Sequence, residues 1–404
     1  MTAHKPIRVL LLEQIHPDAV EVLQSAGFEV VSADRAYDED ELIAAIGDVN
    51  LLGIRSKTHV TDKVLAAAPN LIAIGAFCIG TNQIDLLSAT AHGVTVFNAP
   101  FSNTRSVVEL AIAELISLTR RLSEKNTLMH AGVWDKSADG AHEVRGRTLG
   151  IVGYGNIGTQ LSVLAENLGM RVLFYDATDK LALGNARRAA SLKELLHDSD
   201  VVTLHVDGRP ENKNIFGEAE FAAMREGSIF LNLSRGFVVD YAALRRHVET
   251  GHIVGAAVDV FPVEPKGRGD EFVSELRGLP NVILTPHIGG STEEAQQDIG
   301  QFVANKFRDF VVEGSTALSV NLPGLDLPRR EGSLRLVHLH RNVPGVLARI
   351  NGLLADNHVN VEAQLLGTRG EVGYVVTDSA GGVTQQIVDE IRAMPETIKL
   401  RVVF

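Results

Sequence analysis

Leu149-Gly150-Ile151-Val152-Gly153-Tyr154-Gly155-Asn156-Ile157-Gly158 is the stretch whose reading decides the fold. The apolar run Thr148–Gly153 reads as a buried strand, and Thr159–Leu168 as the helix after it. The glycines between them each have a physical reason. Gly153 permits a sharp turn, Gly155 lets a pyrophosphate approach the backbone, and Gly158 lets helix and strand pack closely. Free N–H groups at the helix start, around Asn156 and Ile157, suit the phosphates. The next strand, Arg171–Asp176, ends in Asp176 at about the 20-residue spacing of the acid that accepts both adenosine ribose hydroxyls. A carboxylate there repels a 2′-phosphate, and no Arg or Lys follows until Lys180, so NAD is expected rather than NADP.

The same alternation extends outward in both directions. Downstream, strands are expected at Val201–Val206, Ser228–Ser234, His252–Val260 and Asn281–His287. Upstream, Arg8–Glu13, Phe28–Val31, Leu51–Arg55, Leu71–Phe77 and Val94–Asn98 alternate with helices near His16–Ala26, Asp38–Gly47 and Thr61–Ala68. Both sets argue for α/β structure with parallel sheets covered on two faces. One long helical stretch, Ser102–Met129, is expected between them, and a further helix near Thr292–Val312 leads away from the second set. Leu322–Ser333, with Pro323, Gly324, Pro328 and Gly332, reads as a linker. Beyond it the order is strand Leu334–His340, helix Pro344–Asp356, strands Asn360–Thr368 and Val372–Asp378, helix Val383–Ala393, strand Ile398–Phe404. That β-α-β-β-α-β order is a ferredoxin-like α+β plan.

Composition narrows the function classes. A chain of 404 residues exceeds one compact core. Its formal charge of −12 gives it no reason to seek nucleic acid or anionic membrane. Cys78 is the single cysteine, so no intrachain disulfide forms, and on an apolar strand it is expected as a small core residue. No apolar run approaches the roughly 18 residues of a membrane span, and Met1–Gln14 lacks a signal-peptide cleavage pattern. A soluble cytoplasmic protein is expected.

Three late strands each deliver a residue suited to hydride chemistry. Leu231-Asn232-Leu233-Ser234 leads to Arg235, Val258-Asp259-Val260-Phe261-Pro262-Val263 to Glu264, and Thr285-Pro286 to His287. Singly, each has a plain alternative as a surface ion pair, a solvated turn or a satisfied core residue. Together, at the edge where ligands gather on such sheets, they form a constellation. Oxidising a secondary alcohol requires a proton acceptor with a pKa near neutrality, which His287 supplies. A carboxylate beside it, Glu264, orients the ring and raises its pKa. Arg235 can grip a substrate carboxylate through paired hydrogen bonds. No metal-ligand spacing occurs, so no metal is expected.

These segments carry a family resemblance. Gly153–Gly158, Ser234-Arg235-Gly236, Asp259–Pro265 and Thr285-Pro286-His287-Ile288-Gly289-Gly290-Ser291-Thr292 resemble, in order and spacing, the D-isomer-specific 2-hydroxy acid dehydrogenases. The resemblance implies Arg235, Glu264 and His287 as the catalytic set, Asp259 near the nicotinamide amide, and Leu233, Ser234, Gly289 and Gly290 lining the NAD site. It also implies domains at 1–102 with 291–322 (substrate) and 103–290 (NAD), a linker at 323–333, and a regulatory domain at 334–404. Gly53–Thr58, Cys78–Gln83 and Asn98–Val107 are similar to the branch that oxidises 3-phosphoglycerate at the head of serine synthesis. Arg55 is then expected to hold the phosphate, with Ser56 and Asn103 binding phosphate or carboxylate. His340-Arg341-Asn342-Val343-Pro344-Gly345 resembles the strand-to-helix turn of an ACT domain, which implies L-serine as effector with His340, Asn342 and Asn360 as its polar partners. The resemblance further implies a homotetramer and a second activity on 2-oxoglutarate. It places the lone Trp134, otherwise a core residue, at a neighbouring subunit. The alternatives are another D-2-hydroxy acid as substrate and a non-catalytic NAD sensor.

Overall fold

The computed structural model describes residues 6–265, 269–330 and 332–403. Residues 1–5 of the N-terminal run, residue 331 of the expected linker and Phe404 of the last strand lie outside them. The chain forms two compact units, Asn103–Ala295 on the one hand and, on the other, the residues up to Ser102 together with those from Gln296 onward.

The first unit opens with β1 (Arg8–Leu11), β2 (Glu29–Ser32), β3 (Leu51–Ile54), β4 (Ala73–Ala76) and β5 (Thr95–Asn98). They form a parallel sheet in the order β2-β1-β3-β4-β5. Alternate side chains divide between two cores, as strand geometry requires. Val9 and Leu11 join Phe97 and Phe307, whereas Leu10 and Leu12 join Ile54 and Ile74. Cys78, just after β4, is half-buried, and its thiol donates to the Gly80 carbonyl at 3.2 Å.

The second unit holds β6 (Thr148–Val152), β7 (Arg171–Tyr175), β8 (Arg187–Arg188), β9 (Val201–Leu204), β10 (Ser228–Asn232), β11 (Ile253–Val258) and β12 (Val282–Leu284). Every pairing is parallel and the order is β12-β11-β10-β9-β6-β7-β8. The strand order reverses between β6 and β9, the switch point at which such sheets bind ligands. The long helical stretch expected here is two helices, Thr104–Thr119 and Leu122–His130. Arg121 breaks it with a left-handed φ of 53°, and Glu124 clamps its guanidinium at 2.6 and 2.7 Å. The first helix buries Val107, Val108, Ala111, Leu115 and Leu118; the second buries none of its residues. Packing therefore sustains only the first.

The C-terminal strands β13 (Leu334–Arg341), β14 (Val361–Arg369), β15 (Val372–Ser379) and β16 (Thr397–Val403) belong to the first unit. They pair antiparallel in the order β14-β15-β13-β16, as the ferredoxin-like plan requires. Helices Val346–Asp356 and Gln385–Arg392 cover one face through Ile350, Leu354, Ile387 and Ile391. The other face, with Val337, Leu339, Tyr374, Val376 and Val403, shares a core with Phe307 and Phe310 of the helix Glu293–Glu313. Within residues 323–333, Leu325 and Leu327 pack on that core, and Arg335 Nη1 donates to the carbonyls of Leu327 and Glu313 at 2.8 and 2.7 Å. No helix among the described residues is long and apolar enough to cross a membrane.

Candidate active site

The glycine turn follows β6 as its sequence requires. Gly153 has φ 93°, closed to ordinary side chains, and a Cβ on it would strike the His205 carbonyl. A Cβ on Gly158 would strike the Gly153 carbonyl, whereas one on Gly155 would meet nothing within 4 Å. Gly155 thus leaves open space before the helix Asn156–Asn167, whose N-terminus has no side-chain cap. Asp176 sits half-buried at the end of β7 and accepts from Tyr154 N at 2.9 Å and from Thr178 N and Oγ1 at 2.8 Å each. Burial alone would raise its pKa, but these bonds outweigh burial and hold it below the usual carboxylate range. Each carboxylate oxygen keeps acceptor capacity for a ribose hydroxyl. Arg188 folds back to donate to the Asp176 carbonyl at 3.3 Å, with its charge paired to Asp179. The open step at Gly155, the uncapped helix start and the ionised Asp176 together fit a dinucleotide.

Arg235, Glu264 and His287 follow the carboxyl ends of β10, β11 and β12. Arg235 is shaped by Asn232, which sequence reasoning did not single out. Asn232 Oδ1 accepts from Ser234 N and Oγ at 3.0 and 2.8 Å. Its Nδ2 donates to the Arg235 carbonyl and to Tyr241 Oη at 3.1 and 3.0 Å, and Tyr241 donates onward to the Val260 carbonyl at 2.6 Å. Gly236 lies against the Phe261 backbone with no space for a Cβ. The turns after β10 and β11 are thus tied together. Leu233 and Ser234 are buried beside them.

His287 has a left-handed φ of 55°, which aims its ring at Glu264. Nδ1 lies 2.9 Å from Glu264 Oε2 and 3.1 Å from Oε1, and Phe261 N donates to Oε1 at 3.1 Å. The hydrogen bond to Glu264 raises the His287 pKa, against burial. Burial would raise Glu264, but the bond and charge of His287 hold it low. Arg235 is near enough to act on both. The backbone beyond His287 is held by Asp259, which is 1 % exposed. Its carboxylate accepts from Thr285 Oγ1 at 2.6 Å, Ile288 N at 2.8 Å and Gly289 N at 2.8 Å. Gly290 lies against the Asn103 side chain, whose Oδ1 is buried without a hydrogen-bond partner. His205, whose backbone carbonyl lies beside Gly153, is pushed down to about 4 by burial and so stays neutral.

The remaining expected residues lie elsewhere. Arg55 and Ser56 follow β3 in the first unit, on a loop held by the buried Glu13. Its carboxylate accepts from Arg55 N, Lys57 N and Thr58 N at 3.2, 3.0 and 2.8 Å. Among the described residues no carboxylate pairs with the Arg55 guanidinium. In the C-terminal sheet His340 is buried, with Nδ1 2.8 Å from the Arg341 carbonyl, and Asn342 donates to the Gly370 carbonyl at 3.1 Å. Asn360 is not brought to them. Val361 pairs through Ser379 with Leu334, whereas His340 pairs through Gly373 with Thr368. At ~3.3 Å per residue that separates Asn360 from His340 by about 20 Å along the sheet. Trp134, a core residue on the plain reading, is 77 % exposed. Among the described residues no group of three His, Cys, Asp or Glu could hold a metal.

Known proteins resemble this chain over most or all of its length. Residues 112–289 match the D-isomer specific 2-hydroxyacid dehydrogenase NAD binding domain, and residues 336–399 an AHAS small subunit-like ACT domain. The D-3-phosphoglycerate dehydrogenase of Haemophilus influenzae is 49% identical over 399 residues, covering 98% of this chain and 97% of the relative. The enzyme of the same name from Dictyostelium discoideum is 47% identical, covering 98% and 97%. Among solved structures, an Aquifex aeolicus D-lactate dehydrogenase complexed with NAD and lactic acid superposes with a TM-score of 0.69 at 26% identity, covering 78% of this chain and 100% of that one. The chain belongs to the D-3-phosphoglycerate dehydrogenases, a branch of the D-isomer-specific 2-hydroxy acid dehydrogenases with a C-terminal ACT domain.

Proposed function

We propose that this NAD-dependent oxidoreductase oxidises D-3-phosphoglycerate to 3-phosphohydroxypyruvate, the opening step of serine synthesis, with His287 as the acid–base group. The observation that carries this reading is the His287–Glu264 pair at the carboxyl edge of the sheet that bears the Gly153–Gly158 turn. Gly155, the helix start at Asn156 and Ile157, and Asp176 would hold the dinucleotide, with Leu233, Ser234, Asp259, Gly289 and Gly290 around its nicotinamide end. When bound, nicotinamide supplies the hydride acceptor. His287 Nε2 takes the proton of the substrate 2-hydroxyl, while Glu264 keeps the proton on Nδ1 and steadies the imidazolium that forms. Arg235 donates paired hydrogen bonds to the substrate carboxylate and steadies charge on the 2-oxygen. Arg55, which has no carboxylate partner among the described residues, meets the phosphate, with Ser56 and Asn103 as neutral partners.

The ACT domain fits feedback control by an amino acid, and L-serine is the proposed effector. The distance of Asn360 from His340 and Asn342 supports a site built across two copies, His340 and Asn342 from one and Asn360 from the other. The exposed Trp134 supports a second subunit contact and a homotetramer. Reduction of 2-oxoglutarate is a proposed second activity and the cytoplasm the proposed location. The test is NADH formation from NAD and D-3-phosphoglycerate, with and without L-serine. Turnover suppressed by L-serine is expected. Bound NAD with no turnover would overturn the substrate in favour of another D-2-hydroxy acid. NADH consumption with 2-oxoglutarate checks the second activity.

A further inference from the structure

Glu114 has no part in the chemistry above, yet its place is unusual. It lies in the helix Thr104–Thr119, which packs against β10, β11 and β12, and is 3 % exposed. Neither carboxyl oxygen has a hydrogen-bond partner in the structure. Its polar neighbours are Thr285 and Asp259, the pair that holds the backbone beyond His287. Asp259 is the charged group that acts on it, and Asp259 in turn acts on His287.

The hydrogens can be counted. The Thr285 hydroxyl has one, and it is donated to Asp259 at 2.6 Å. Thr285 thus has no hydrogen left for Glu114, and an ionised Glu114 finds no donor there; only an acid that carries its own hydrogen can bond to the Thr285 oxygen. We propose that Glu114 is a buried carboxylic acid that donates to Thr285 and so completes a chain, Glu114 to Thr285 to Asp259 to the N–H groups of Ile288 and Gly289, that positions His287. Burial, reinforced by the Asp259 charge, pushes the Glu114 carboxyl up to about 8. Ionised, Glu114 competes with Asp259 for the Thr285 hydrogen and sets two negative charges in one dry site, which loosens the loop. Glu114 is a positioning residue, and the proposal rests on the reading of His287 as the acid–base group.

Glu114→Gln tests it, because the amide keeps a donor and cannot ionise. The turnover number of the full chain is followed from neutral to strongly alkaline pH. Wild type is expected to lose activity through an alkaline midpoint near about 8. In Glu114→Gln that midpoint should move up by more than about 1 pH unit, the ordinary spread of carboxyl values. Superimposable alkaline limbs would overturn the proposal. Infrared difference spectra of the wild type across the same pH range give a second readout that does not depend on turnover. A protonated-carboxyl band that fades on that midpoint is expected, and its absence at neutral pH would overturn the proposal even if the variant did not fold. A failure of the His287 reading is distinguishable, since His287→Asn would then retain turnover while the infrared band was unaffected.

Discussion

The molecule holds two pairs of opposite charge with opposite fates. In the second unit, His287 and Glu264 meet at 2.9 Å with side chains 50% and 38% exposed. In the first, Arg335 and Asp378 meet through two bonds at 2.6 and 2.7 Å with side chains 1% and 0% exposed. The exposed pair keeps one ring nitrogen accessible and one proton exchangeable, so its energy is small and its chemistry available. The buried pair has lost water on all sides and leaves no atom accessible, so removal of one partner alone is expensive and its chemistry is nil. The contrast teaches that partnership alone does not mark a site; access to the unpaired atom does.

The largest expected effect is on the exposed pair. His287→Asn should lower kcat by on the order of 10²–10⁴ while leaving the thermal midpoint nearly unchanged. A steady-state assay beside a melting curve checks both halves. Next, Arg335→Met should destabilise the first unit by about 3–5 kcal/mol, because Asp378 is left buried without its partner. Arg335→Met combined with Asp378→Leu should recover most of that loss, and denaturant titration of both variants would break the comparison if the double variant were the weaker. Third, Glu264→Gln removes the carboxylate charge and weakens the hydrogen bond that raises the His287 pKa. Oxidation needs the neutral imidazole, so the acid limb of kcat/KM should move to lower pH by on the order of 1 unit, with a reduced plateau. The smallest effect is linkage. The His287 contribution is lost as pH rises through its raised pKa, and the Glu264 contribution as pH falls through its lowered one. Wild type should therefore exceed His287→Asn in stability by less than about 1 kcal/mol, and only between those two limits. Melting curves across pH would show that window.

Much of this was legible in the sequence because it obeys local rules. Strands buried on both faces read as apolar runs, and Gly153, Gly155 and Gly158 read as a turn because their constraint lies within a few residues. Arg235, Glu264 and His287 were legible as strand-end residues. The rest depends on side chains that meet from far apart. Glu13 reaches the Arg55 loop across 42 residues of chain, and Tyr241 joins the turns of two strands. Glu114 reads as an ordinary helix acid until the sheet closes over it. The left-handed Arg121 splits a stretch whose composition suits a helix throughout. Trp134 carries the opposite lesson, since its bulk suggests burial and the fold leaves it 77% exposed.

The core shared by the C-terminal sheet and the helix Glu293–Glu313 bears on how such proteins are inherited and rebuilt. A module that merely hangs from a tether can be traded between genes at the tether. Here Val337, Leu339 and Tyr374 are half of a seam whose other half is Phe307 and Phe310. Cutting the gene after Pro323 would leave an oily scar on the remaining protein, prone to self-association. A transplanted module must therefore arrive with an apolar underside that matches this seam.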